Sequence, residues 1–148
     1  CLNILNSQTT LLKDLIKKMT SQDTVFTPEI KVEVTTEHVQ SIKELADEQY
    51  AFIYHITITN SLSFPVKLLS RNWLITDANG KTSKIQGDGV IGKQPTLSPD
   101  ESYTYSSGAI IETPVGTMQG SYIFIDENKH MLQAQIPLFR LAVPNILN

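Results

Sequence analysis

The sequence predicts an all-β domain, a two-sheet β-sandwich of immunoglobulin or fibronectin type III kind with about seven antiparallel strands. Three observations carry that expectation. From Glu29 onward the apolar residues recur with a period of two, the spacing that turns one face of a strand inward. Turn-forming clusters separate these runs, among them Asp77-Ala78-Asn79-Gly80 and Asp126-Glu127-Asn128-Lys129. Pro95 and Pro99 forbid a helix between Gln94 and Asp100, and the domain shows no other helical stretch.

Taken in order, residues 9–19 read as a short helix lying outside the domain. Leu11, Leu15 and Met19 recur at a spacing of four, Leu12 and Ile16 widen the stripe, and Lys17 and Lys18 suit a helix C-terminus. Ser21 to Pro28 reads as a linker, so residues 1–28 form a helical extension and residues 29–148 the domain. Val32 and Val34 share a face of the first strand, and Glu37 to Gln49 reads as a solvated connection. Between Tyr50 and Ile58 every even position is large and apolar, leaving His55, Thr57 and Thr59 outward. A third strand spans Val66 to Asp77, with Arg71, Trp73 and Ile75 on one face and Trp73 as the core aromatic. Asn79-Gly80 tolerates the positive φ of a hairpin, after which Lys81 to Gln86 returns as a short edge strand. Ser102 to Tyr105 alternates again, and Met118 to Asp126, apolar on both faces, reads as a central strand. In the last strand Leu132, Ala134, Ile136 and Leu138 share a face, and Pro137 marks an edge or a bulge.

Composition narrows the class of function. The chain has 148 residues, 41% apolar and 18% charged, enough for a core that needs no staples. A net charge of −3 without clustered Lys and Arg argues against nucleic-acid binding. Cys1 is the single cysteine, which excludes an internal disulfide and a cysteine-based zinc site and is compatible with a cytoplasmic setting. No apolar run is long enough to span a membrane. An initial Cys allows two readings, an acylated lipoprotein terminus or a truncated, trimmed or mis-assigned start with Met19 as a plausible initiator, and the second is preferred.

Gly87-Asp88-Gly89-Val90-Ile91-Gly92 matches the letters of a dinucleotide fingerprint, but proline follows it and no βαβ pattern surrounds it. The first expectation is therefore a shaped connection whose glycines supply positive φ or close packing. The alternative is an anion site, a phosphate or nucleotide sensor in which Gly87, Asp88, Gly89 and Gly92 offer backbone amides flanked by Lys84 and Lys93. Asp88 opposes an anion unless a divalent cation binds too, which makes it a weak metal candidate. Catalytic patterns are thin. His38, His55 and His130 sit in separate segments and read as exposed residues, and no serine or cysteine has an evident base. The acid pairs Asp47-Glu48, Asp100-Glu101 and Asp126-Glu127 read as solvated turns. A binding domain, not an enzyme, is expected.

Several words are specific. Arg71-Asn72-Trp73-Leu74-Ile75-Thr76, the run Gly87 to Pro95, Ser107-Gly108-Ala109, Thr113 to Gly120 and Ile136 to Pro144 together resemble the bacterial ApaG family. The likeness runs from about Glu29 to the C-terminus and excludes residues 1–21. Asn72 and Asp100 depart from the residues common in the family. The resemblance implies a fibronectin type III-like sandwich, a link to cobalt and magnesium resistance or efflux, and partner binding of the kind seen in related domains of eukaryotic F-box and polymerase-interacting proteins. It supplies no catalytic residues. A protein partner and association through sheet edges are the expected interactions.

Overall fold

The computed structural model describes residues 25–26, 29–40 and 48–145. These form nine strands in two sheets: β1 (Val25–Phe26), β2 (Ile30–Val39), β3 (Tyr50–Asn60), β4 (Val66–Asp77), β5 (Thr82–Asp88), β6 (Thr96–Leu97), β7 (Ser102–Ile111), β8 (Val115–Asp126) and β9 (Met131–Ala142). The larger sheet has the order β1-β9-β8-β4-β5, with β6 also paired to β4, and the smaller has the order β2-β3-β7. The expected all-β sandwich is thus observed, with two short strands more than the alternation signalled. The helix expected at 9–19 lies outside the described residues.

The core fills the gap between the sheets. Phe52, Tyr54, Ile56 and Ile58 enter from β3, Trp73 and Ile75 from β4, Tyr122 and Phe124 from β8. Trp73, 1% exposed, packs against Tyr54, Tyr122 and Phe139 at ring-centroid distances of 5.3, 6.3 and 5.9 Å. Asn60, at the corner where the chain crosses from β3 to β4, is fully buried and fully bonded. Its amide donates to the carbonyls of Phe64 and Leu97, and its carbonyl accepts the Leu62 amide. This meets the cost of burying a polar side chain at the turn.

The structure corrects four sequence expectations. The linker contains β1, a two-residue strand parallel to β9, too short to show any alternation. β2 continues through Glu37 and His38 to Val39, where a connection was expected. His38 faces inward, with its ring 5.4 Å from that of Phe52, and is half-buried rather than exposed. Finally, Leu138 is 57% exposed. The β8–β9 register shifts between Met118 and Gly120, which leaves Pro137 and Leu138 out of the ladder. The inward phase resumes at half-buried Phe139, in contact with the core, and at buried Leu141.

Two hairpins share one design. Asp77 Oδ1 accepts the amides of Asn79 and Lys81, and Asp126 Oδ1 accepts those of Asn128 and His130. The residue that must take the left-handed conformation is Gly80 in the first (φ 84°) and Lys129 in the second (φ 69°). A lysine there is strained where glycine is not. Lys129→Gly is expected to raise unfolding free energy by about 0.5–1 kcal/mol, measured by urea denaturation.

Candidate functional site

β5 and β6 lie on the same edge of β4, in one line. β5 pairs with Ser70 to Thr76, and β6 with Val66 and Lys67. The chain therefore leaves that edge after Asp88 and returns at Thr96. It does so opposite Leu69, the residue that the β4–β8 ladder skips. The Leu69 carbonyl accepts the Gly89 amide at 2.7 Å and the Gln94 side-chain amide at 2.9 Å. Leu68 N donates to the Pro95 carbonyl at 2.9 Å. Beyond these ties, Val90 and Lys93 exchange two backbone bonds and close a two-residue turn. Both its central residues, Ile91 (φ 47°) and Gly92 (φ 73°), have positive φ, the signature of a type I′ turn. Gly89 also has positive φ (60°), and a β-carbon there would lie 2.1 Å from the Lys93 carbonyl oxygen. Val90 is fully buried and anchors the loop, while Ile91 is 58% exposed at its tip.

Arg71 clasps the base of this loop. Its Nη1 donates to the carbonyls of Asp88 and Gly89 at 3.0 and 2.9 Å. A β-carbon on Gly87, its register partner, would lie 3.0 Å from both terminal nitrogens, so the guanidinium rests where a side chain would stand. Arg71 is half-buried, and among the described residues no carboxylate pairs with it. Its charge also acts on the buried hydroxyls of Tyr105 and Tyr122, which are bonded to each other.

Burial pushes Tyr105 up to about 12 from 10.0, against the favourable bond from Tyr122. Tyr122 is raised further, by burial first and then by Tyr105. In the unfolded chain both phenols ionise near 10. Above that pH the unfolded state binds fewer protons than the folded one, so stability is full below about pH 10 and is lost as pH rises toward 12. The expected slope approaches ~2.7 kcal/mol per pH unit for two retained protons. Urea denaturation across this range checks it, and a Tyr105→Phe, Tyr122→Phe double variant should flatten the profile.

Of the residues singled out in the sequence, the structure brings Gly87, Asp88, Gly89, Gly92 and Lys93 into this one loop. Lys84 lies apart from it. It sits on β5 opposite Leu74, about 13 Å along the strand from Asp88. The amides of Gly89, Val90 and Lys93 are engaged with carbonyls of the protein. Asp88 is exposed, and among the described residues no three His, Cys, Asp or Glu side chains are grouped to hold a metal. Asp126 does more than solvate a turn. Burial is the largest single influence and disfavours its charge, but the His130 amide, the His130 ring and the Asn128 amide together outweigh it and hold its carboxyl below the usual range.

Two features escaped the sequence reading. Arg71 gave no local sign of its role, beyond lying on the Trp73 face. On the outer face of the smaller sheet, His55 Nε2 lies 2.7 Å from Glu37 Oε2, and His55 Nδ1 lies 2.6 Å from Ser106 Oγ. The residues come from three strands, and only the register unites them.

A model of the ApaG domain matches residues 40–126, from the end of β2 through β8 and including the glycine loop. The chain belongs to the ApaG family. Protein ApaG of Aromatoleum aromaticum is 48% identical over 119 residues, covering 80% of this chain and 94% of that protein. Protein ApaG of Salmonella arizonae is 46% identical over 124 residues, covering 84% and 99%. Among solved structures, an ApaA protein from Bordetella pertussis shares 38% identity and superposes with a TM-score of 0.75, covering 79% of this chain and 95% of that one. The braced glycine loop and Arg71 beneath it thus lie inside the ApaG domain.

Proposed function

We propose that this ApaG-family chain is a non-enzymatic binding module that recognises a protein partner through the tip of the glycine loop. In this reading its role in cobalt and magnesium resistance is indirect, exercised through that partner in the cytoplasm. One observation carries it: Ile91, a β-branched residue, holds φ 47° while 58% exposed. A left-handed β-branched residue costs roughly 1–2 kcal/mol, and an exposed side chain returns nothing to the fold. A partner that buries Ile91 would repay that strain. The loop is braced by Arg71, Gln94 and buried Val90, so it presents the tip without ordering on contact.

The test is a photo-crosslinking amino acid placed at position 91 in cells, beside Ile91→Gly in affinity capture. The glycine variant should be about 1 kcal/mol more stable and yet lose the captured partner. Equal capture by Ile91→Gly, or no crosslink at position 91, overturns the reading.

A second reading is favoured by Arg71, whose half-buried guanidinium has no carboxylate partner among the described residues. With Lys93 it could hold a phosphate against Gly87. Calorimetry with pyrophosphate, ATP and a dinucleoside polyphosphate, each with and without Mg²⁺, decides it, and absence of heat in every case ends it. The outer edges of β5 and β7, unpaired among the described residues, leave room for self-association through sheet edges as well.

A further inference from the structure

The outer face of the smaller sheet carries a hollow that neither reading above uses. Register sets three adjacent rows there: Val39–Ala51–Ile110, then Glu37–Ile53–Gly108, then Thr35–His55–Ser106. Val39, Ala51 and Ile110 of the first row and Ile53 and Gly108 of the second line an apolar depression of about 400 Å³, with Ile110 56% exposed at its rim and Glu37 beside it as the register partner of Ile53. Its floor is Gly108.

Nothing in the backbone demands glycine at that position. Its φ is not positive, and an added β-carbon would meet only the Phe52 carbonyl oxygen at 3.5 Å, an ordinary contact. A glycine in mid-strand weakens a sheet by roughly 0.5–1 kcal/mol relative to alanine. Where conformation and sterics both permit a side chain, such a glycine marks a place that something else approaches closely. The missing side chain at Gly108 is what opens the depression.

The polar residues that adjoin the hollow, Glu37 beside Ile53 and His55 with Ser106 in the next row, fix the chemistry of its occupant. With the imidazole neutral, the Nε2–H of His55 donates to Glu37 and Nδ1 accepts the Ser106 hydroxyl proton. The ring proton of His55 and the hydroxyl proton of Ser106 are then committed. Of these three residues, what remains is acceptors: the second Glu37 oxygen and the lone pairs of Ser106. The negative charge is Glu37, whereas Glu33 and Lys31 lie two and three rows farther along the same face. An apolar depression ending in anionic acceptors is complementary to an apolar stem ending in a cationic donor.

We propose that this hollow binds a small amphiphilic amine, with its apolar stem over Gly108 between Ile53 and Ile110 and its ammonium bonded to Glu37 and Ser106. The site lies on the opposite sheet from the glycine loop, so it stands or falls separately from the loop's partner.

The experiment is an amide NMR titration of the full chain with hexylamine, hexanol and hexanoate. Hexylamine should shift the Ile53, Gly108 and Ile110 amides saturably, with hexanol at least tenfold weaker and hexanoate inert. Glu37→Gln should weaken hexylamine about tenfold. Gly108→Val should fill the hollow and abolish the shifts, with a thermal midpoint no lower than that of the parent chain. Equal binding of hexanol or hexanoate, unchanged binding by Gly108→Val, or no saturable shift at millimolar hexylamine overturns the proposal.

Discussion

Gly120→Ala is expected to cost at least ~3 kcal/mol and to lower the thermal midpoint by on the order of 10 °C. Gly120 on β8 is the register partner of Trp73 on β4. A β-carbon at this position would lie 2.0 Å from the Asn72 carbonyl oxygen and 3.1 Å from the Trp73 α-carbon. Both are backbone atoms of a central strand held by β8 on one side and by β5 and β6 on the other. They cannot swing away as a flexible side chain would. The adjoining register shift in β8 brings the two strands this close, and only glycine permits it. Gly108→Ala is the control: the same chemical change in a strand of the other sheet, with nothing nearer than 3.5 Å, should be neutral or stabilising. Thermal and urea unfolding of the pair measures the contrast.

Trp73→Ala should cost about 3–5 kcal/mol, because a large buried ring leaves a cavity that three other aromatic rings cannot close. The chemistry of the same side chain makes Trp73→Phe much milder. The indole N–H is buried without a hydrogen-bond partner in the described structure. Such a donor costs about 1–3 kcal/mol, a penalty phenylalanine does not carry. Phenylalanine keeps contact with the neighbouring rings, so a net loss below about 1.5 kcal/mol is expected. Since Trp73 is the single tryptophan, unfolding has to be followed by circular dichroism rather than by its fluorescence. Combined with Gly120→Ala, the two effects should not add, because both act on the one Trp73–Gly120 pair.

Much of the sandwich was legible because β3, β4 and β8 each carry a long inward series that a strand period exposes. Misreadings arose where a single residue broke that phase. His38 is polar yet inward, covered by Phe52, so β2 read as ending early. Leu138 is apolar yet outward, because the chain skips two ladder positions at Pro137. β1 is too short to carry a period at all. The glycine loop was legible as a shaped connection from its glycines and the proline that follows. Its clasp was not, since Arg71 lies sixteen residues before Gly87 and meets it only through the β4–β5 register. Glu37, His55 and Ser106 were hidden for the same reason, as cross-strand neighbours carry no local signature.

The way the chain leaves and rejoins one edge of β4 has a consequence for engineering. The two ends of the excursion are tied to consecutive residues, Gly89 to Leu69 and Pro95 to Leu68, so the sheet closes beneath whatever lies between them. Gly92, at the tip, has open space around the position a side chain would take. Lengthening a loop whose ends are already fixed costs only about 0.6 kcal/mol for each doubling. A foreign peptide spliced between Ile91 and Gly92 would therefore be displayed as cargo on a scaffold whose strand pairing does not register its length.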